Sequence, residues 1–204
     1  MNPLRLGLVV EGHGEVKAAP ILFRRIAHEI DPAVPLEVLQ PIRRPRGSLI
    51  RNEGQELERA VELATLKVRP TGGVFVLLDS DDDCPAELAP KLLNRASLAG
   101  MGLPVSVVLP QREFEAWFLA AAESLRGKRR LAPDLTSPQN PEEIRGAKQW
   151  LRDRMSDHIY SEIIDQPALT AEFDLSQARA AKSFEKCYRE LQFLIQRFRS
   201  DSGG

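Results

Sequence analysis

Val74-Phe75-Val76-Leu77-Leu78-Asp79-Ser80-Asp81-Asp82-Asp83 opens with five consecutive apolar residues and closes with four carboxylates within five positions. Preceded by Gly72-Gly73, it reads as a strand buried on both faces that surfaces at its carboxyl end. Carboxylates this close repel one another unless something positive sits among them, and a hard divalent cation with oxygen ligands meets that need. If the chain stays extended, side chains alternate, so Asp79, Asp81 and Asp83 point together while Ser80 and Asp82 point away. The plainer alternative is a solvated acidic turn in which Asp82 or Asp83 caps a helix starting near Pro85.

Working outward, Leu6 to Val10 is a short apolar strand, Glu11-Gly12-His13-Gly14-Glu15 is the turn that leaves it, and Ala18, Ile21, Leu22, Ile26 and Ile30 mark a helical stripe ending before Pro32. The two glycines lack the spacing and the Lys-Ser/Thr pair of a P-loop. Leu36 to Leu39 alternates as a strand, Glu53 to Lys67 is an amphipathic helix, Glu87 to Ala99 is another, and Pro104 to Leu109 is a further strand. The order β-α-β-α-β-α-β predicts a mainly parallel four-stranded, Rossmann-like sheet with helices on both faces. In such a sheet the carboxyl ends of the strands line one crevice, which makes Glu11 and Asp79 expected neighbours across a long stretch of sequence. Glu15 either joins them from the first turn of its helix or simply favours the helix dipole. His13 is read as polar filler of the turn rather than as a proton carrier.

Pro41-Ile42-Arg43-Arg44-Pro45-Arg46-Gly47-Ser48, followed by Arg51, is the one dense basic loop, and arginines beside an acidic metal site suit a phosphodiester. After the last strand, Arg112-Glu113-Phe114-Glu115-Ala116-Trp117-Phe118 reads as a helix start with the aromatics inward. Full helicity would let only one of Glu113 and Glu115 reach the crevice, and Glu115 is the choice, as metal-site acid or general base, with Arg112 available to a phosphate. From Ser124 no good strand follows. Residues 123–204 are therefore read as a helical extension packed on a domain of residues 1–122, with helices at Glu142 to Met155, near Tyr160 to Ile164, and at Ser183 to Arg199. Asp165 to Thr170 is read as a break, and Ser200 to Gly204 as disordered.

The chain has 204 residues with 28 basic and 29 acidic ones, so nothing global attracts a polyanion and any nucleic-acid contact must be local. Two cysteines, Cys84 and Cys187, give neither a disulfide framework nor a zinc site. The first apolar run is interrupted by Arg5 and followed at once by Glu11, which argues against a signal peptide or a membrane span and makes a cytoplasmic setting the expectation.

Glu11-Gly12 after the first strand and Asp79, Asp81, Asp83 after the third resemble the Toprim domain of topoisomerases, DnaG-type primases and OLD-family nucleases, over residues 4–120. Val10-Glu11-Gly12-His13-Gly14-Glu15 is closest to the OLD-type version, in which a second acid follows the first by four positions. The whole chain, including Arg112 to Trp117 and Asp165-Gln166-Pro167-Ala168, looks like the small stand-alone bacterial Toprim-like proteins grouped as domain of unknown function 4276. The resemblance implies a Mg²⁺- or Mn²⁺-dependent phosphodiesterase, most simply a nuclease in DNA transactions or phage defence. Glu11, Glu15, Asp79, Asp81 and Asp83 would then hold metal, Glu115 would assist, and Arg43, Arg44, Arg46, Arg51 and Arg112 would bind phosphate. It also implies two alternatives: a non-catalytic subunit that docks on a separate ABC- or SMC-like ATPase, and nucleotidyl or phosphoryl transfer.

Overall fold

The computed structural model describes residues 3–202. Its centre is a parallel sheet in which β1 (Leu4–Val10) pairs with β2 (Leu36–Val38) and β3 (Ile42–Arg43) on one side and with β4 (Gly72–Leu77) on the other, and β4 pairs with β5 (Val105–Val108). Parallel neighbours need crossovers. These are α1 (Glu15–Ile30) after β1, α2 (Arg46–Ile50) and α3 (Glu56–Val68) after β3, and α4 (Pro85–Ala99) after β4. The chain leaves β1 toward β2 and returns to the opposite side of β1 as β4, so the strand order reverses between β1 and β4. Outside the carboxyl ends of two such strands a crevice opens that helices do not close.

The alternation of each strand divides the apolar residues between two layers. Leu4, Leu6, Leu8, Val10, Phe75 and Leu77 face α1 and the C-terminal helices, while Val9, Val74, Val76 and Leu78 face α3 and α4. Gly7 takes its place where α3 presses on β1: a Cβ there would lie 3.1 Å from that of Ala64. The larger layer continues without a break into α5 (Ala116–Ala120), α6 (Ala147–Asp153), α7 (Asp165–Glu172), α8 (Leu175–Ala178) and α9 (Lys182–Ser202), and α1 packs on both α7 and α9. Phe114, Trp117, Phe118, Phe173 and Phe184 meet edge-on or tilted in this layer, with centroids 4.7–5.7 Å apart. The Trp117 indole donates to Ser183 Oγ at 2.7 Å, which locks α5 to the start of α9.

Four departures from the sequence reading have physical causes. The basic loop is partly ordered, contributing the two-residue β3 and the short α2, because Ile42 and Leu49 are apolar enough to be buried. Tyr160 to Ile164 forms no helix, and Ile159, Ile163 and Ile164 stay exposed. The helix falls instead on Asp165–Glu172, where Pro167 sits in the first turn and forfeits no intrahelical hydrogen bond. At the C-terminus α9 runs to Ser202, and Gly203 and Gly204 lie outside the described residues. No described helix is long and apolar enough to cross a membrane.

Candidate metal centre

The register puts Val10 beside Leu77, so the residues that follow β1 and β4 emerge together. Glu11 accepts the backbone N–H of Asp79 at 2.9 Å. Glu15 turns back from the first turn of α1 and accepts the backbone N–H groups of Glu11 and Gly12 at 3.2 and 2.8 Å. Asp79 accepts the N–H of Phe114 at 2.7 Å. The three carboxylates offer one oxygen each within 4.8 Å of one another, and Glu15 and Asp79 are buried; this triad can hold a metal ion.

A fourth acid closes the pocket. Glu115 is fully buried, and its Oε1 accepts the Tyr160 hydroxyl at 2.8 Å and the Gln166 amide at 3.1 Å. Its Oε2 has no hydrogen-bond partner. The Lys148 ammonium, delivered by α6, stands 3.4 Å from that oxygen, 3.4 Å from Glu162, 3.8 Å from Glu113 and 3.9 Å from Asp79. Both Glu113 and Glu115 reach Lys148 because α5 begins only at Ala116, so the preceding turn frees them from the one-face constraint of a helix. Gly14 makes room for this side of the pocket: a Cβ there would meet Gln166 Oε1 at 2.3 Å and the Glu162 carbonyl at 2.6 Å.

The electrostatics follow from burial. Loss of water raises Glu11, Asp79 and Glu115 above the ordinary carboxylate range and pushes Glu15 up to about 8. At Asp79 the neighbouring Glu15 and Glu115 add to the rise, and at Glu115 Lys148 opposes it. Burial works against the charged Lys148, yet Glu115, Asp79, Glu113 and Glu162 outweigh it and hold the ammonium above its usual value. Tyr160 is raised by burial and then by Glu115, so it remains a hydroxyl donor.

The aspartates after Asp79 go elsewhere. The expected alternation fails because β4 ends at Leu77 and Asp81 adopts φ +50°, a left-handed turn. Ser80 is buried, its Oγ accepting the Arg112 N–H at 2.8 Å. Asp81 and Asp83 are about half exposed and pair with Arg46 at 3.3 and 2.5 Å, outside the triad. Asp82 pairs with Arg112 and Arg145 at 3.1 and 2.7 Å. The residue at the start of α4 is Cys84 with Pro85 behind it, so neither Asp82 nor Asp83 caps that helix.

The arginines divide by their engagements. Arg46 donates to the Asp79 and Ser80 carbonyls, both at 2.8 Å, and so clamps the loop that carries Asp79. Arg43 reaches the Glu11 carbonyl at 3.3 Å, Arg44 pairs with Glu56 at 3.2 Å, and Arg51 and His13 are exposed. Lys148, Tyr160, Glu162 and Gln166 were not singled out as site residues in the sequence, although Gln166 lies in the Asp165 to Ala168 phrase that carried the family likeness. Asp165 itself is buried, bonded to Arg130 at 2.8 Å and to the Ser161 N–H at 2.8 Å, and fixes the segment that presents Tyr160 and Glu162.

A family profile described as "Domain of unknown function (DUF4276)" matches residues 10–192. Comparison with curated proteins and with solved structures finds no match.

Proposed function

We propose that this chain, which belongs to the DUF4276 family, is a Mg²⁺- or Mn²⁺-dependent phosphodiesterase, most simply a nuclease of the Toprim kind. One observation carries the reading: Glu11, Glu15, Asp79 and the fully buried Glu115 converge, with an oxygen of Glu115 left without a hydrogen-bond partner. The four acids would carry four negative charges against the one positive charge of Lys148 if all were ionised. Buried charge in such excess is untenable unless protons or a cation supply the balance. An all-oxygen donor set of carboxylates suits a hard divalent ion such as Mg²⁺ or Mn²⁺ better than a thiophilic one. Such an ion, when bound, activates water and neutralises phosphate charge.

The protein's own groups complete the chemistry. Glu11, Glu15 and Asp79 supply the ligands, and backbone N–H groups of residues 11, 12, 79 and 114 orient those carboxylates without consuming all their lone pairs. Lys148 offers a fixed positive charge to a phosphoryl oxygen or a leaving oxygen. Tyr160 and Gln166 steady Glu115, whose second oxygen, paired with Lys148 at 3.4 Å without a hydrogen bond, is available to a metal ion or to an attacking water. Titration calorimetry with Mn²⁺ followed by cleavage assays on DNA and RNA tests the reading. Binding and cleavage that both vanish in Asp79→Asn, with folding retained, are expected; cleavage undiminished in that variant refutes it.

A second reading keeps the metal and drops autonomous turnover: a subunit that stays idle until a separate ATPase docks. Its support is the exposure of Ile159, Ile163 and Ile164 on the same segment that presents Tyr160 and Glu162. Metal binding without cleavage by the isolated protein, and cleavage on adding an ATPase partner, would select it.

A further inference from the structure

Beside the carboxylate pocket lies a cavity of about 590 Å³ that the chemistry above does not use. Three pieces of chain form the partition between the two. Asp79 faces the pocket while Ser80 lines the cavity; Glu113 faces the pocket while Gln111 and Arg112 line the cavity; Lys148 faces the pocket while Arg145, just before α6, lines the cavity. One wall is apolar, built from Pro85, Ala89, Pro90 and Leu109, and the other brings Lys182 and Lys186 from α9. Those two lysines also line a second groove, of about 600 Å³, which continues along α9 to Arg189 and Phe193.

Lys182, Lys186, Arg189 and Phe193 recur at spacings of four, three and four, and therefore share one face of α9. All four are exposed, Phe193 to 60%. Most acids of this surface are paired with arginines, Asp82 with Arg112 and Arg145, Asp81 and Asp83 with Arg46, and Glu185 with Arg179 at 2.6 Å. Glu190, which accepts the neutral Ser106 hydroxyl at 2.7 Å, and Glu142, which accepts the backbone N–H groups of Lys182 and Ser183 at 2.8 and 3.0 Å, keep their charges. Among the described residues Lys182, Lys186 and Arg189 make no ion pair. What remains is a net positive strip, three cations over about 10 Å of helix, with an exposed aromatic ring one turn beyond it at one end and an apolar-walled cavity at the other.

We infer that this trough, from the cavity behind Asp79 along the Lys182–Lys186–Arg189 face to Phe193, is the binding track for a single-stranded nucleic acid. Phosphates lie along the basic strip, and bases turn to the proline-leucine wall and to the Phe193 ring, which is how sequence-tolerant single-strand grooves work. A duplex hides its base faces and gains nothing from either apolar element. A membrane surface would require several apolar side chains on the outward face of α9, where Phe193 is the one among the trough residues. The track runs beside the proposed metal site, across the partition from it, and the inference rests on that reading only for what happens to the strand; binding is a separate property.

The test is fluorescence anisotropy of the intact protein with a fluorescein-labelled oligothymidylate of about 16 nucleotides, in EDTA to prevent turnover and across a salt series. Replacing Lys182, Lys186 and Arg189 together by Gln should weaken binding at least about tenfold and lower the slope of log K against log salt by about 2, since each single-strand phosphate contact contributes about 0.7. Phe193→Ala should weaken binding roughly tenfold and leave the slope unchanged. All are exposed positions, so melting temperatures should hold. No binding by the wild-type protein at low salt, or binding indifferent to the triple substitution, overturns the track. Preference for a duplex or for phosphatidylserine vesicles, lost with the same substitutions, overturns it in favour of that partner. Strand binding without Mn²⁺ binding would sink the metal reading and leave the track standing; Mn²⁺-dependent cleavage unaffected by the triple substitution would do the reverse.

Discussion

Replacing Lys148 by Met should cost the metal-free protein about 2–3 kcal/mol of stability. The side chain keeps its length and apolar stem, so the change removes charge rather than volume. Its ammonium lies 3.4 Å from Glu115, whose carboxylate is fully buried, and within 3.9 Å of Asp79, Glu113 and Glu162. Removing one partner of a buried pair typically costs about 3–5 kcal/mol. Lys148 is 34% exposed, so solvent screens part of this and the lower figure applies. Urea denaturation at neutral pH in EDTA measures the cost, with an unchanged m-value as the check that the unfolded state is not altered. Adding Glu115→Gln to Lys148→Met should restore part of the loss, because the amide keeps the shape and removes the uncompensated charge. A coupling of about 1–3 kcal/mol is expected for groups in contact. A cost for Lys148→Met below about 0.5 kcal/mol, the range of an ordinary surface change, or a double mutant no better than the single, would show that the ammonium is not the counter-charge of this pocket.

Four other perturbations probe the same site. Glu15 is pushed up to about 8 by burial, with Glu11, Glu115 and Asp79 around it, so the folded state holds a proton that the unfolded state releases near 4.5; melting temperature in EDTA should fall as pH rises between those values, and a rise would contradict the burial of this acid. Saturating Mn²⁺, at about a hundredfold excess over Kd, should add about 2.7 kcal/mol and lift Tm by roughly 5–10 °C, and an unchanged melting curve would argue against the site. Arg46→Gln releases the clamp on the Asp79 and Ser80 carbonyls and should weaken Mn²⁺ binding by about 10–100-fold in calorimetry while the fold survives; full affinity would mean that the loop is held by other contacts. Gly14→Ala forces a Cβ against Gln166 Oε1 and the Glu162 carbonyl, at 2.3 and 2.6 Å, and should destabilise by about 1–3 kcal/mol in the same urea assay.

How much of this was legible beforehand depended on how local the signal is. Apolar runs at Leu6 to Val10 and Val74 to Leu78, each followed at once by an acid, specify buried parallel strands almost alone, and the reversal between β1 and β4 then brings Glu11 to Asp79. The direction of Asp81 was not legible, because it turns on one residue in a left-handed conformation that a D-x-D-x-D pattern does not announce. Lys148, Tyr160 and Gln166 were invisible for another reason. A helical pattern around Lys148 reports only its own helix, and what gives each of the three its role is an acid on a different element, Glu115, which lies 33–51 positions earlier in the chain. Periodicity reports a residue's own neighbourhood; it carries no record of which distant charge will need an answer.

The lysine that answers those acids also sets an order of events. During synthesis Glu11, Glu15, Asp79 and Glu115 leave the ribosome well before Lys148, Tyr160 and Gln166, and the α1 surface must wait for α7 and α9 to cover it. A nascent chain halted between the two groups would carry both an open apolar layer and an uncompensated anionic crevice. The first half of the protein is thus committed to waiting for the second, and chaperone contact should concentrate on that interval of translation.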